Sequence, residues 1–230
     1  MIFVARPLYS KLPKVKDMFF IDLLTRTDDA RRAFETNPII SKAVAEGMSL
    51  ERYRKMLLEL YHIVWHFNTV SAAGASRLQD DHKAIRYFLY EHMHEESGHE
   101  QWVLNDLNFM GVSTEEALAH MPSEFTQALV GFNYYTADRR HPASALGMLY
   151  ALEVIASVYG GAFTAALKEA LLLEDDKGVS FIGSHATLDA EHLDELRKVL
   201  DPITDARAQD AIIDAINVNF HHFARMMEAC

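Results

Sequence analysis

His185, Asp189 and His192 stand at i, i+4 and i+7, so an α-helix would carry all three on one face. Two imidazoles and a carboxylate on one stripe are donors that iron, manganese and zinc accept. A solvated helix face with two histidines has the same spacing, so the stripe gains weight only in combination. Three other stretches supply the combination. Glu59 sits among Leu57, Leu58 and Leu60, and its stripe continues through His62 and His66. His92, Glu96 and His99 repeat the i, i+4, i+7 pattern. Within it, Glu96-x-x-His99 has the spacing with which four-helix carboxylate proteins build dinuclear sites.

Glu153 is the strongest single clue. Apart from His141, it is the only charge-bearing residue between Arg140 and Lys168. A lone carboxylate in an apolar run costs several kcal/mol to desolvate, and few cations are near it in sequence. A metal ion would satisfy it. Glu59, Glu96, His99, Glu153, His185, Asp189 and His192 together offer four carboxylates, three imidazoles and no sulfur. That mixture suits two iron ions, with manganese admitted in one or both positions, better than copper or structural zinc. Two such ions could bind dioxygen and direct it at a substrate, with Glu96 and Glu153 the candidate catalytic carboxylates. His62, His66 and His92 are candidates for hydrogen-bonding the ligands or lining a pocket. His92 is also an additional or alternative ligand.

The elements that must position these residues are helical throughout. An extended arm is expected over residues 1–17, which hold Pro7 and Pro13. Asp28 or Asp29 caps a helix to Glu46, with a break at Pro38 and a stop at Gly47. Ser49 opens a long helix to about Leu78. Asp80 or Asp81 opens another that runs to about Phe109 and stops at Gly111. Ser113 with Glu116 is a capping-box pattern for a short helix. Ser123 opens a helix to about Ala137, and Asp138 to Pro142 ends it. A helix from about Ala143 to Leu173 contains Gly160-Gly161, where it can bend or be closely approached. Helices over about 179–201 and 204–227 complete the chain. The expectation is an all-α fold, a bundle of about seven or eight helices forming one domain over residues 1–230.

Bulk properties narrow the function classes. The net charge is −11 and the basic residues are dispersed, which argues against a nucleic-acid or anionic-membrane surface. The one cysteine, Cys230, is the last residue. It allows no internal disulfide and is poorly placed for a pocket nucleophile. No apolar run is expected to reach the ~20 residues of a membrane helix, and a cytoplasmic location follows as the expectation.

With these motifs in place, the chain resembles the haem-oxygenase-like superfamily. Within it, the chain looks most like the diiron oxidases and oxygenases known as iron-containing redox enzymes. Such proteins use a Glu on one core helix, a Glu-x-x-His or similar pair on the next, a lone Glu later, then His-x-x-x-Asp-x-x-His. The resemblance covers residues 30–225. It implies a homodimer acting with dioxygen on a small substrate: an amino acid, a fatty acid or an aromatic metabolite. Two related groups fit less well. Haem oxygenases ligate haem through a histidine near the N-terminus, whereas the first histidine here is His62. TenA-type thiaminases use a pocket cysteine. A metal-independent TenA-like or PqqC-like protein for a heterocyclic metabolite, such as a thiamin fragment, is the alternative.

Overall fold

The structure, a computed structural model, describes residues 18–230, and the side chains of all of these except Met18 and residues 188–191. The expected arm over residues 1–17 lies outside the described residues. Among the described residues there is no strand. The helices are α1 (Met18–Glu35), α2 (Pro38–Glu46), α3 (Leu50–Arg77), α4 (Lys83–Glu95), α5 (His99–Phe109), α6 (Thr114–Ala119), α7 (Glu124–Arg139), α8 (Ser144–Ile155), α9 (Gly161–Leu171), α10 (Ser180–Leu200) and α11 (Ala206–Ala229). A 3-10 turn (Asp80–His82) leads into α4, and a π-helical turn (Ala156–Gly160) joins α8 to α9.

The helix count exceeds the expected seven or eight because three expected helices are interrupted. Asn37 caps α2, accepting the Ile39 and Ile40 N–H groups at 2.9 and 3.4 Å, with Pro38 at its first position. The helix expected from Asp80 to Phe109 stops at Glu95. Gly98 has φ +94°, a left-handed conformation that only glycine adopts freely, and α5 restarts at His99. Ser144–Leu171 continues through the π turn as one long rod. At the N-terminus, α1 begins ten residues before the expected Asp28. Phe19, Phe20, Leu23, Thr27 and Phe34 are all buried on its inner face, so Asp28 lies mid-helix and pairs with Arg31 and Arg32.

The core is organised around α8. Ala145, Leu146, Met148, Leu149, Tyr150, Ala151 and Val154 are all buried, and a helix apolar on every side belongs in an interior. By length and composition Ser144–Leu171 could cross a membrane, contrary to the expectation that no stretch approaches that length. Here it is the central strut, packed on α11, α7 and α10. Gly147 permits the α8–α11 contact: a Cβ there would lie 2.7 Å from the Ala215 Cβ and still closer to the Ile212 carbonyl. Glu153 is therefore held on the central helix and is itself buried.

Candidate metal centre

Two buried carboxylates fix the helices that frame the site. Asp106, on α5, accepts the Ser180 N–H (3.1 Å), the Ser180 hydroxyl (2.8 Å) and the Phe181 N–H (2.9 Å). It thereby caps the start of α10 from outside that helix, and anchors His185 beside His99. Glu59, on α3, does the same for α7 through Ser123. A helix N-terminus with its unpaired N–H groups is a good partner for a carboxylate, and both groups are satisfied there.

Glu96 and Glu153 have no such partner and face histidines instead. One group comprises Glu96, His99 and His185, the other His92, Glu96, Glu153 and His192; in each, one donor atom per residue lies within 4.8 Å of all the others. Glu96 belongs to both. Its Oε2 is 2.8 Å from His99 Nδ1 and 3.6 Å from His185 Nε2. His99 Nδ1 and His185 Nε2 are 3.1 Å apart, close to the separation of two nitrogens bound to one ion about 2.1 Å from each. Glu153 Oε1 lies 3.3 Å from His92 Nε2 and 3.4 Å from His192 Nδ1. The break at Gly98 builds the first group, because Glu96 ends one helix and His99 starts the next.

The protons are arranged for ligation. His185 donates its Nδ1–H to the Phe181 carbonyl at 2.8 Å, which leaves the Nε2 lone pair facing the cluster. Burial pushes the Glu96 pKa up, but hydrogen bonds and charge from His185 and His99 outweigh it and hold the carboxyl well below its ordinary range. Glu153 is likewise lowered: burial opposes ionisation, and His192 and His92 overcome it. Glu153 in turn lifts His192 to about 8. Three donor atoms remain buried without a hydrogen-bond partner among the described residues: Glu96 Oε1, Glu153 Oε2 and His92 Nε2. Each such atom costs about 1–3 kcal/mol, so three in one cluster need an explanation. The donor chemistry, imidazole nitrogen with carboxylate oxygen, fits iron or manganese.

The remaining sequence candidates lie apart. Glu59 joins neither cluster, for the capping reason given above; the assignment of Glu59 as a ligand is corrected to a helix cap. His62 and His66 are not beside the ligands either. His62 Nε2 is 3.0 Å from the His120 carbonyl, and His66 Nδ1 is 2.9 Å from the Tyr134 hydroxyl. The side chain of Asp189 lies outside the described residues. His92, expected either as a neighbour of the ligands or as an additional or alternative ligand, stands in a donor group. Sequence reasoning passed over Glu95, whose carboxylate is 3.7 Å from His192 Nε2, because it faces away from the Glu96 stripe on an ideal helix.

Glu96, Glu153 and His185 form the polar end of a cavity of about 140 Å³. The rest of its wall is hydrocarbon and ring, including Ile63, Phe67, Leu152 and Phe181, with Tyr159 and Gly160 from the π turn. π turns of this kind occur often at functional sites.

No protein with a curated description matches the chain. Solved structures match its fold. One is a domain of unknown function with a heme oxygenase-like fold from Shewanella denitrificans, with TM-score 0.76, 21% identity, and 95% of this chain and 92% of that one covered. A TenA homologue from Pseudomonas syringae pv. tomato has TM-score 0.78 and 17% identity, with 97% and 96% covered. Heme oxygenase-1 from the cyanobacterium Synechocystis, in complex with heme, has TM-score 0.71 and 16% identity, with 92% and 91% covered. These likenesses establish the heme oxygenase-like fold. The family model described as iron-containing redox enzyme matches residues 54–220, a span that holds every donor of both clusters, and the chain belongs to that family.

Proposed function

We propose that the protein is a dinuclear iron oxidase or oxygenase that uses dioxygen on a small, largely apolar organic molecule. The observation that carries this is the burial of Glu96 Oε1 and Glu153 Oε2 without a hydrogen-bond partner, on two carboxylates that stand with histidines in shared donor groups at the polar end of an otherwise hydrocarbon cavity. Glu96, His99 and His185 would hold one ion. His92, Glu153 and His192 would hold the second, with Glu96 shared between them. Iron, or manganese in either position, would supply the electrons that dioxygen needs.

The chain's own residues do the rest. Phe181 keeps the His185 proton on Nδ1 through its carbonyl. Glu95, at the outer edge, faces His192 Nε2 and would keep the ring proton there while Nδ1 turns to the metal. Ile63, Phe67, Leu152 and Phe181 exclude water and present an apolar group to Glu96 and Glu153. The size of the cavity sets the scale of the substrate, since an apolar cavity of about 150 Å³ accepts a molecule such as benzene. A single aromatic ring or a short hydrocarbon chain fits it better than a free amino acid. The reading carries with it a cytoplasmic homodimer with no nucleic-acid or membrane partner.

Anaerobic Fe(II) titration of the metal-free protein, followed by mixing with oxygen in a stopped-flow spectrophotometer, tests the proposal. About two irons per chain and a transient visible band support it. Glu153→Ala and His185→Ala should each lose iron and oxygen consumption. A protein that takes up no iron, yet binds thiamin or pyrimidine analogues, would instead be a metal-independent pocket protein with Glu153 as a substrate-binding carboxylate.

A further inference from the structure

The imidazoles of the centre are packed against rings. His92 lies 5.7 Å from the Phe67 ring and stacks on Phe88 at 5.6 Å and 21°. His185 lies 4.1 Å from Phe181. Phenyl rings resist one-electron oxidation, but the fourth neighbour does not. Trp102 stacks on His99 with 4.1 Å between centroids and 26° between planes, and meets the edge of His185 at 5.7 Å and 67°. One indole therefore touches two histidines of the same donor group. Trp102 is half-buried. Its Nε1 makes no hydrogen bond among the described residues. Tyr159 is the other oxidisable ring at the site. Burial, then Glu35, raises its phenol pKa, which makes loss of its proton harder.

We propose that Trp102 is a one-electron donor to the metal centre, used when dioxygen reacts there with no substrate in the cavity. The inference rests on the dinuclear iron reading. Reducing dioxygen to two waters takes four electrons and four protons. Two Fe(II) ions held by the donor groups would supply two of the electrons. Trp102 supplies the third: its ring loses an electron, its Nε1 proton leaves to solvent, and a neutral indolyl radical remains. An external one-electron reductant of the ascorbate class supplies the fourth. A second equivalent returns an electron and, with a proton from water, restores the indole. The stack on His99 gives the electron its path, and the exposed edge gives the reductant access. Without this outlet, oxidising equivalents would be spent on the buried wall of the cavity.

The test uses the full chain loaded anaerobically with Fe(II), its iron content measured before oxygen enters. Failure of the wild type to bind iron overturns the dinuclear reading and the proposal with it, and shows before the redox step. The loaded protein is then mixed with oxygen and ascorbate without organic substrate, and freeze-quenched for electron paramagnetic resonance. An organic radical is expected in the wild type and in Trp65→Phe, which alters the only other tryptophan, and its loss is expected in Trp102→Phe at unchanged iron content. Ring-deuterated tryptophan in the Trp65→Phe protein labels Trp102 alone and leaves its packing intact, so narrowing of the signal assigns the radical even if Trp102→Phe binds iron poorly. With ascorbate withheld, peptide mapping should find oxygen added at Trp102. Oxygen consumption with no tryptophan radical in the wild type, or a radical that deuteration does not narrow, overturns the proposal.

Discussion

Glu59→Ala separates a metal ligand from a helix cap. Glu59 is 7% exposed. Its two oxygens each lie 3.0 Å from the Ser123 N–H, Oε2 accepts the Ser123 hydroxyl at 2.9 Å, and Oε1 lies 3.3 Å from His120 Nε2. Burial alone would raise its pKa, but the hydrogen bonds from Ser123 and His120 outweigh it and lower it. A hydrogen bond to a charged group contributes about 1.5–3 kcal/mol. The two Ser123 bonds, taken at the lower end because water can enter after truncation, give ~3 kcal/mol; the long His120 contact adds little. For a domain of 150–250 residues each kcal/mol lowers Tm by about 2–4 °C, so the expected fall is ~6–12 °C. Metal uptake should stay at the wild-type stoichiometry, because Glu59 is in neither donor group. Thermal unfolding of the metal-free protein and anaerobic Co(II) titration read the two quantities separately. An unchanged Tm with one metal equivalent lost would refute the cap and restore Glu59 as a ligand.

Three further outcomes follow from particular contacts. Gly98→Ala forces a Cβ into a φ of +94° with nothing within 4 Å, so the cost of about 1–3 kcal/mol is backbone strain alone; calorimetric Co(II) titration should show weakened binding at the group of Glu96, His99 and His185 before the fold is lost. His192, lifted to about 8 by Glu153, carries a proton at pH 7 that a metal must displace. Mn(II) affinity at the group that holds His192 should therefore rise about tenfold from pH 6 to 7, about fivefold from pH 7 to 8 and then level off, with about one proton released by that group at pH 7; pH-independent binding by calorimetry would contradict that assignment. Gly147→Ala drives a methyl into the backbone of α11, and overpacking of about 3 kcal/mol should lower Tm by ~6–12 °C, visible by circular dichroism.

The parts of the fold that the sequence disclosed are those decided within one turn of chain. Ser49 and the Ser113–Glu116 capping box cap where their spacing says, because cap and capped N–H are neighbours in sequence. The break at Glu96–Gly98 was missed because glycine inside a helix costs only about 1 kcal/mol. Whether the helix runs through it depends on contacts made elsewhere in the fold. The same division runs through the site. Glu153 and Glu59 look alike in sequence, each a carboxylate among leucines, valines and isoleucines. What separates them is the partner. Ser123 is 64 residues from Glu59, and the helix end it offers satisfies that carboxylate; no helix end reaches Glu153. A buried carboxylate is thus legible from sequence as a group needing a partner, but the partner's identity is a tertiary fact. His92 shows how far spacing can carry. It lies one turn before Glu96, so the stripe that contains Glu96 contains it too. The physical distinction between a ligand and its supporting neighbour is where the Nε2 lone pair points, and that follows from the packing of His92 against Phe88 and Phe67, which aims Nε2 at Glu153.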